Sequence, residues 1–298
     1  MKKILFATTA LVATAGVAAA DLNFSGYGRF GLNYTEGAAE ELRLDQRLRL
    51  IITGTAESDG GLAFTAQTRI QWDDAASTPG DAVNGASAAI RDAAFHVAYG
   101  GLTLSLGNVS AAEATPGFYA GCLGYTGYTC VDPWNSIGYG NHDIGLTTAG
   151  TNGVVMLTYT TGDLTGRVSY SNDGAGTDRT HVGVDYKFGD YLIALSHQEE
   201  SGVTNNDISK LYIQGALGNT TFGLFADDSA AGNAFGVTAT TSIGAATTAT
   251  LTAVSLAAGG ENIGVGINHS LGGGVSFGAG ISDLNGTTYG EAGVVFSF

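Results

Sequence analysis

Arg43, Asp45, Arg47 and Arg49 stand on alternate positions of one stretch, while Leu42, Leu44, Leu48, Leu50 and Ile52 take the intervening parity, interrupted only by Gln46. At helical spacing these residues would scatter around an axis; at a period of two they make one charged face and one greasy face. Arg29 and Arg69 fall on the polar parity of the segments before and after. Guanidinium groups in a row, relieved by a single carboxylate, perform no covalent chemistry. They attract, repel and orient ions and dipoles that pass close by.

Other candidate chemistries are thinner. Cys122 and Cys130 are the two cysteines, with seven residues between them in a stretch rich in Gly and Tyr. In an exported chain that spacing reads as a local disulfide, with a pair of free thiols as the alternative. His142 lies nearby, but His96, His181, His197 and His269 are dispersed, so no metal-binding spacing emerges. Catalysis would need a nucleophile, a base and a carboxylate brought together, and Ser169, His181 and Asp185 are one set that folding could assemble. Gly26-Tyr27-Gly28-Arg29-Phe30-Gly31 fits a dinucleotide fingerprint. That motif must sit between a strand and a helix, and here the alternation runs straight through it.

Strands are the elements that must position these residues. Leu22, Phe24, Phe30, Leu32 and Tyr34 alternate with Asn23, Ser25, Arg29 and Asn33, and Phe64, Ile70 and Trp72 alternate with Thr65, Gln67, Arg69 and Gln71. The same period returns in Val182-x-Val184-x-Tyr186, Phe235-x-Val237, Ile263-x-Val265-x-Ile267 and Val294-x-Phe296-x-Phe298. About sixteen such segments fit the chain, most near the 9 to 11 residues that a tilted membrane strand requires. Tight turns such as Gly100-Gly101, Gly162-Asp163 and Gly189-Asp190 alternate with longer or more polar connections around 36–40, 73–88, 109–152, 172–178, 199–207, 227–233, 257–261 and 283–287. The pattern predicts an all-β fold, a transmembrane antiparallel β-barrel of about 16 strands, with short turns at one end and longer loops at the other. Soluble sandwiches and β-solenoids also alternate, but no repeat of fixed length is present and the chain ends on an aromatic residue inside its last strand.

Lys2 and Lys3, the apolar run Ile4 to Val17 and Ala18-Ala19-Ala20 have the form of a secretory signal peptide, so residues 1–20 are expected to be removed. Residues 21–298 then form a single domain, and losing the two lysines takes the formal charge from −15 to −17. So acidic a chain excludes nucleic acid as a partner. No later stretch is long and apolar enough for a transmembrane helix. In a barrel the arginine face has two places to go. A cation facing lipid near the midplane costs about 2–4 kcal/mol, whereas like charges about 7 Å apart in water repel by only about 0.6 kcal/mol. Arg29, Arg43, Arg47, Arg49 and Arg69 are therefore assigned to a wetted inner wall with Asp45 among them, Arg43 being nearest a strand end.

The strings FSGYGRFGLNY, RLRLDQRLRLIITGTAESDGGLAF, GRVSYSN and GVVFSF resemble the sixteen-stranded general-diffusion porins of alphaproteobacteria over essentially the whole mature chain. The resemblance implies an outer-membrane homotrimer in contact with lipid and lipopolysaccharide, passing small hydrophilic solutes and ions passively and using no cofactor. It also implies that the long third outer loop, residues 109–152, folds into the lumen as a constriction. Glu113, Asp132 and Asp143 are the loop acids that would face the arginines there, and Phe298 would carry a C-terminal assembly signal. The outward glycines Gly26 and Gly28 suggest a close subunit contact. Calcium among the acidic outer loops is left open. The rival readings are a barrel enzyme and a barrel with a structural or adhesive role.

Overall fold

In the computed structural model the described residues are 20–73, 87–90, 93–112, 122–125, 128–131, 153–172, 178–201, 207–257 and 259–298. Residues 1–19, nearly all of the stretch expected to be a signal peptide, and the loop acids Glu113, Asp132 and Asp143 lie outside them. Seventeen strands form one sheet: β1 (Asp21–Thr35), β2 (Leu42–Glu57), β3 (Ala63–Asp73), β4 (Ser87–Ile90), β5 (Ala94–Tyr99), β6 (Leu102–Gly107), β7 (Val154–Thr161), β8 (Leu164–Asn172), β9 (Asp178–Phe188), β10 (Tyr191–Ser201), β11 (Ile208–Leu217), β12 (Thr220–Ser229), β13 (Gly232–Ser242), β14 (Thr247–Ser255), β15 (Glu261–Gly272), β16 (Val275–Leu284) and β17 (Thr287–Ser297). Both β4 and β5 pair with β3, at Ile70–Asp73 and Ala63–Gln67 respectively, so the two share one stave and the barrel has sixteen. Each neighbouring pair is antiparallel, and β17 closes on β1 from Tyr27↔Ser297 to Thr35↔Tyr289. Closure carries the backbone ladder around the barrel, as hydrocarbon surroundings demand.

Packing is inverted relative to a soluble protein. On β10, Tyr191, Ile193 and Leu195 are exposed on the outer face, whereas Ala194, Ser196, Gln198 and Glu200 are buried on the inner one. The outward band of Leu, Ile, Val and aromatic side chains meets lipid, and the polar parity turns inward. This parity is what the alternation predicts.

The connections need one correction. The polar stretches at 227–233 and 283–287 are not long loops: β12 and β13 pair up to Ser229↔Gly232, leaving Ala230-Ala231, and β16 and β17 pair up to Leu284↔Thr287, leaving Asn285-Gly286. Both turn residues of the second hairpin have positive φ, 53° and 84°, which Asn and Gly accept most readily. Asp227 misled because a carboxylate on a barrel's inner face resembles a loop residue in sequence. It is buried and accepts the Ala234 N–H at 2.9 Å.

The seam between the first and last strands gives the outward glycines a partner within the chain. Gly26 and Gly28 face outward, but the space above them is filled from within the chain. A Cβ on Gly28 would run into the Phe296 ring, and one on Gly26 would come within 3.0 Å of the Phe298 ring. Phe298 also pairs with Gly26 through both backbone bonds, 2.9 and 3.0 Å. The glycines seat the chain's own C-terminal aromatics, an aromatic cover over strand glycines. Gly28→Val is therefore expected to cost about 1–3 kcal/mol by overpacking, and Phe296→Ala in the same chain should recover part of it. Denaturant midpoints of the folded barrel measure both; an unchanged Gly28→Val midpoint would contradict the seam assignment.

Candidate pore constriction

The inner face of β1–β3 gathers the predicted arginines because antiparallel register sets their parities side by side. Tyr27 lies opposite Arg49, Arg29 opposite Arg47, Gly31 opposite Asp45, and Asn33 opposite Arg43. On the other flank Arg49 faces Gln71 and Ile51 faces Arg69. Arg47 Nη1 donates to the Tyr27 hydroxyl at 3.3 Å, and Arg49 Nε donates to Gln71 Oε1 at 2.7 Å. The Arg49 guanidinium also lies 4.9 Å from the centre of the Tyr27 ring, within cation–π range. These partners hold both side chains flat along the wall while leaving them partly exposed to the lumen. Arg69 is more deeply buried. Arg43 donates from Nε to the Glu40 carbonyl at 3.2 Å, so it belongs to the mouth formed by the β1–β2 connection.

Arg29 and Asp45 have a different place from their neighbours. Arg29 Nε stands 2.9 Å from Asp45 Oδ2 and its Nη2 donates to Oδ1 at 3.1 Å, a two-point pair with side-chain exposures of 3% and 0%. Above it lies Tyr125, whose hydroxyl approaches Gly31. Burial, followed by the nearby Asp45 and Glu291 carboxylates, pushes the Tyr125 phenol above its ordinary value, so it stays protonated. The Arg29–Asp45 pair is thus the floor beneath a covering segment rather than a surface a solute can touch.

That segment is the described part of the long connection after β6. Cys122 and Cys130 are joined by a disulfide. Thr129 donates to Glu291 Oε1 from its backbone N–H at 3.1 Å and its hydroxyl at 2.7 Å. Tyr128 is hydrogen-bonded through its hydroxyl to Thr35 and meets Tyr289 edge-on at 5.8 Å. Leu123 and Val131 join an apolar cluster with Ala194, Tyr212, Phe225 and Val254. All the wall residues named here belong to the inner parity, so this part of the connection lies inside the barrel. Earlier in the same connection, the Ala112 N–H donates to Ser169 Oγ at 2.8 Å on β8, a different sector of the wall.

The sequence of residues 7–289 matches the family model described as Gram-negative porin. The chain is a Gram-negative porin. A porin of Fuscovulum blasticum is 30% identical over 202 residues, 63% of this chain and 67% of the relative. Among solved structures, one triple mutant of Rh. blastica porin superimposes with a TM-score of 0.79 at 25% identity, covering 93% of this chain and all of that one. A second triple mutant of Rhodopseudomonas blastica porin gives 0.78 at 27% identity with the same coverage. This porin therefore forms a water-filled channel for the passive diffusion of small hydrophilic solutes and ions.

The possible catalytic set does not assemble in it. Ser169 and His181 are cross-strand neighbours, but Asp185 lies four residues further along the same strand as His181, about 13 Å away, and is paired with Arg167. Glu291, by contrast, is a functional anchor that sequence reasoning passed over. Its one signal was a lone carboxylate on the inward parity of a strand otherwise made of Gly, Ala, Val, Thr, Ser and aromatics.

Proposed function

We propose that solutes cross this porin through the part of the lumen left open beside the 122–131 segment, along the Arg47 and Arg49 face. The partial exposure of these two guanidiniums on the inner wall carries the reading. Arg69 adds positive potential behind them and Arg43 adds it at the mouth. Glu113, Asp132 and Asp143 supply the opposing acids, a transverse arrangement that orients dipoles and penalises apolar solutes. The chain is exported behind the 1–20 signal peptide to the outer membrane, where lipid and lipopolysaccharide surround it. There it works as a homotrimer without a cofactor or catalytic step. Trimerisation is supported by membership of the family, since Gly26 and Gly28 are already covered by the chain's own Phe296 and Phe298. Phe298, as the last residue of the closing seam, carries the assembly signal.

Purified protein in planar bilayers, with sugars of graded size added, tests the reading. Ohmic steps that larger sugars cease to reduce are expected, together with a native mass of three chains in mild detergent. Folded protein that fails to conduct, or a monomer with full conductance, would overturn it.

A further inference from the structure

The inner wall is bare where the loop segment crosses it. Gly264 and Gly266 on β15 and Gly278 and Gly280 on β16 all lie on the inward parity, and Gly266 pairs with Gly280. At each of them an added Cβ would strike the loop segment. On Gly266 its three nearest atoms would all belong to Leu123, with the carbonyl carbon at 2.8 Å; on Gly278 they would all belong to Tyr125, Cβ at 2.9 Å and backbone N at 3.2 Å. On Gly280 it would meet Thr129 Oγ1 at 2.5 Å and the Gly124 nitrogen at 3.2 Å, and on Gly264 it would meet Leu123 and, at 2.8 Å, Val131. Several of these contacts are to loop backbone, which cannot rotate away as a side chain can.

We infer that this four-glycine patch sets the channel's aperture by fixing how close to the wall the disulfide-closed segment can lie. The inference rests on the diffusion-channel reading and names the residues that determine size selection. Carbon atoms pack at about 3.5–4.0 Å, so a methyl group on Gly266 or Gly280 requires the segment to stand off by roughly 1 Å. It cannot respond by detaching cheaply. Thr129 is held by Glu291, Tyr128 by Thr35 and Tyr289, and the two ends of the segment are tied by Cys122–Cys130. The remaining direction is toward the open lumen, at the expense of the solute path. Inward residues of ordinary size at these positions would have been no obstacle to a polar barrel wall; they are an obstacle only to this segment.

The test is single-channel conductance and the sugar-size limit of Gly266→Ala/Gly280→Ala and, separately, of Gly278→Ala, which demands the smallest displacement. Gly54→Ala and Gly166→Ala serve as controls, since nothing lies within 4 Å of a Cβ at either position. Resistance of the unheated barrel to detergent unfolding selects correctly folded protein. Conductance of the double variant should fall by about twofold with a lowered sugar limit, in keeping with control by pore radius, while the controls match the parent. In a chain lacking residues 122–131 the same alanines should be silent, because coupling vanishes when one partner is absent. Folded double and Gly278→Ala variants that conduct like the controls, or that conduct more, would overturn the inference. So would a reduction that persists without the segment. A parent that does not conduct at all would instead strike at the channel reading itself.

Discussion

Asp45→Asn is expected to lower the stability of the barrel by about 3–5 kcal/mol, the usual effect of removing one partner from a buried ion pair. The side chain is completely covered, and Arg29, itself buried, is held by it at two points, 2.9 and 3.1 Å. Loss of the carboxylate's charge leaves the guanidinium beneath Tyr125 without its counter-ion. Replacing both residues with apolar ones of similar volume, Arg29→Met with Asp45→Leu, should recover most of the loss, because no desolvated charge then remains. Denaturant titration of detergent-solubilised protein gives the comparison. A shift under about 1 kcal/mol for Asp45→Asn would mean that water reaches the pair and that its covering by the segment is incomplete.

Arg47→Gln/Arg49→Gln should make the channel clearly more cation-selective with the barrel intact. A unit charge about 7 Å from a passing ion in water is worth about 0.6 kcal/mol, near a threefold change in local cation concentration per charge removed. Against this the chain carries a formal −15, or −17 without Lys2 and Lys3, and the acids assigned to its outer connections are expected to enrich cations at the entrance. Screening limits that enrichment to about 8–10 Å at physiological salt, so the entrance and the arginine face act at different depths and partly cancel. The parent is therefore expected to be weakly cation-selective. The glutamines retain side-chain donors for the Tyr27 and Gln71 partners, which protects the wall's geometry. Reversal potentials across a salt gradient decide the matter: an unchanged or more anion-selective value in folded channels would place Arg47 and Arg49 away from the ion path.

The contrast between Arg47 and Asp45 shows how far parity alone can be taken. Both were assignable to the inner wall from the alternation, and both are there. Whether an inward residue meets water or a covering segment depends on contacts such as Thr129 to Glu291, between residues 162 positions apart. No pattern within β2 encodes that the connection after β6 lies across part of its face. The cover over Gly26 and Gly28 was illegible for the same reason, since Phe296 and Phe298 arrive from the opposite end of the chain. Asp227 reads as a loop residue because polarity is shared by loops and by the lumen face of strands, whereas Asp283 stands on the outward parity at the end of β16 and accepts the Gly286 N–H of the adjoining turn at 2.8 Å.

What the sequence determined by itself is the strand period, the sidedness of each strand, closure into about sixteen staves, and the pairing of two cysteines in an exported chain. These depend on local alternation and on the demand that backbone groups in lipid be satisfied. Only the tertiary structure decided which inner-wall residues are exposed: Arg47 and Arg49 remain partly open, whereas Arg29 and Asp45 lie beneath Tyr125. It also decided that Gly264, Gly266, Gly278 and Gly280 serve as a bed for the loop segment, because the absence of a side chain acquires meaning only from what comes to lie above it.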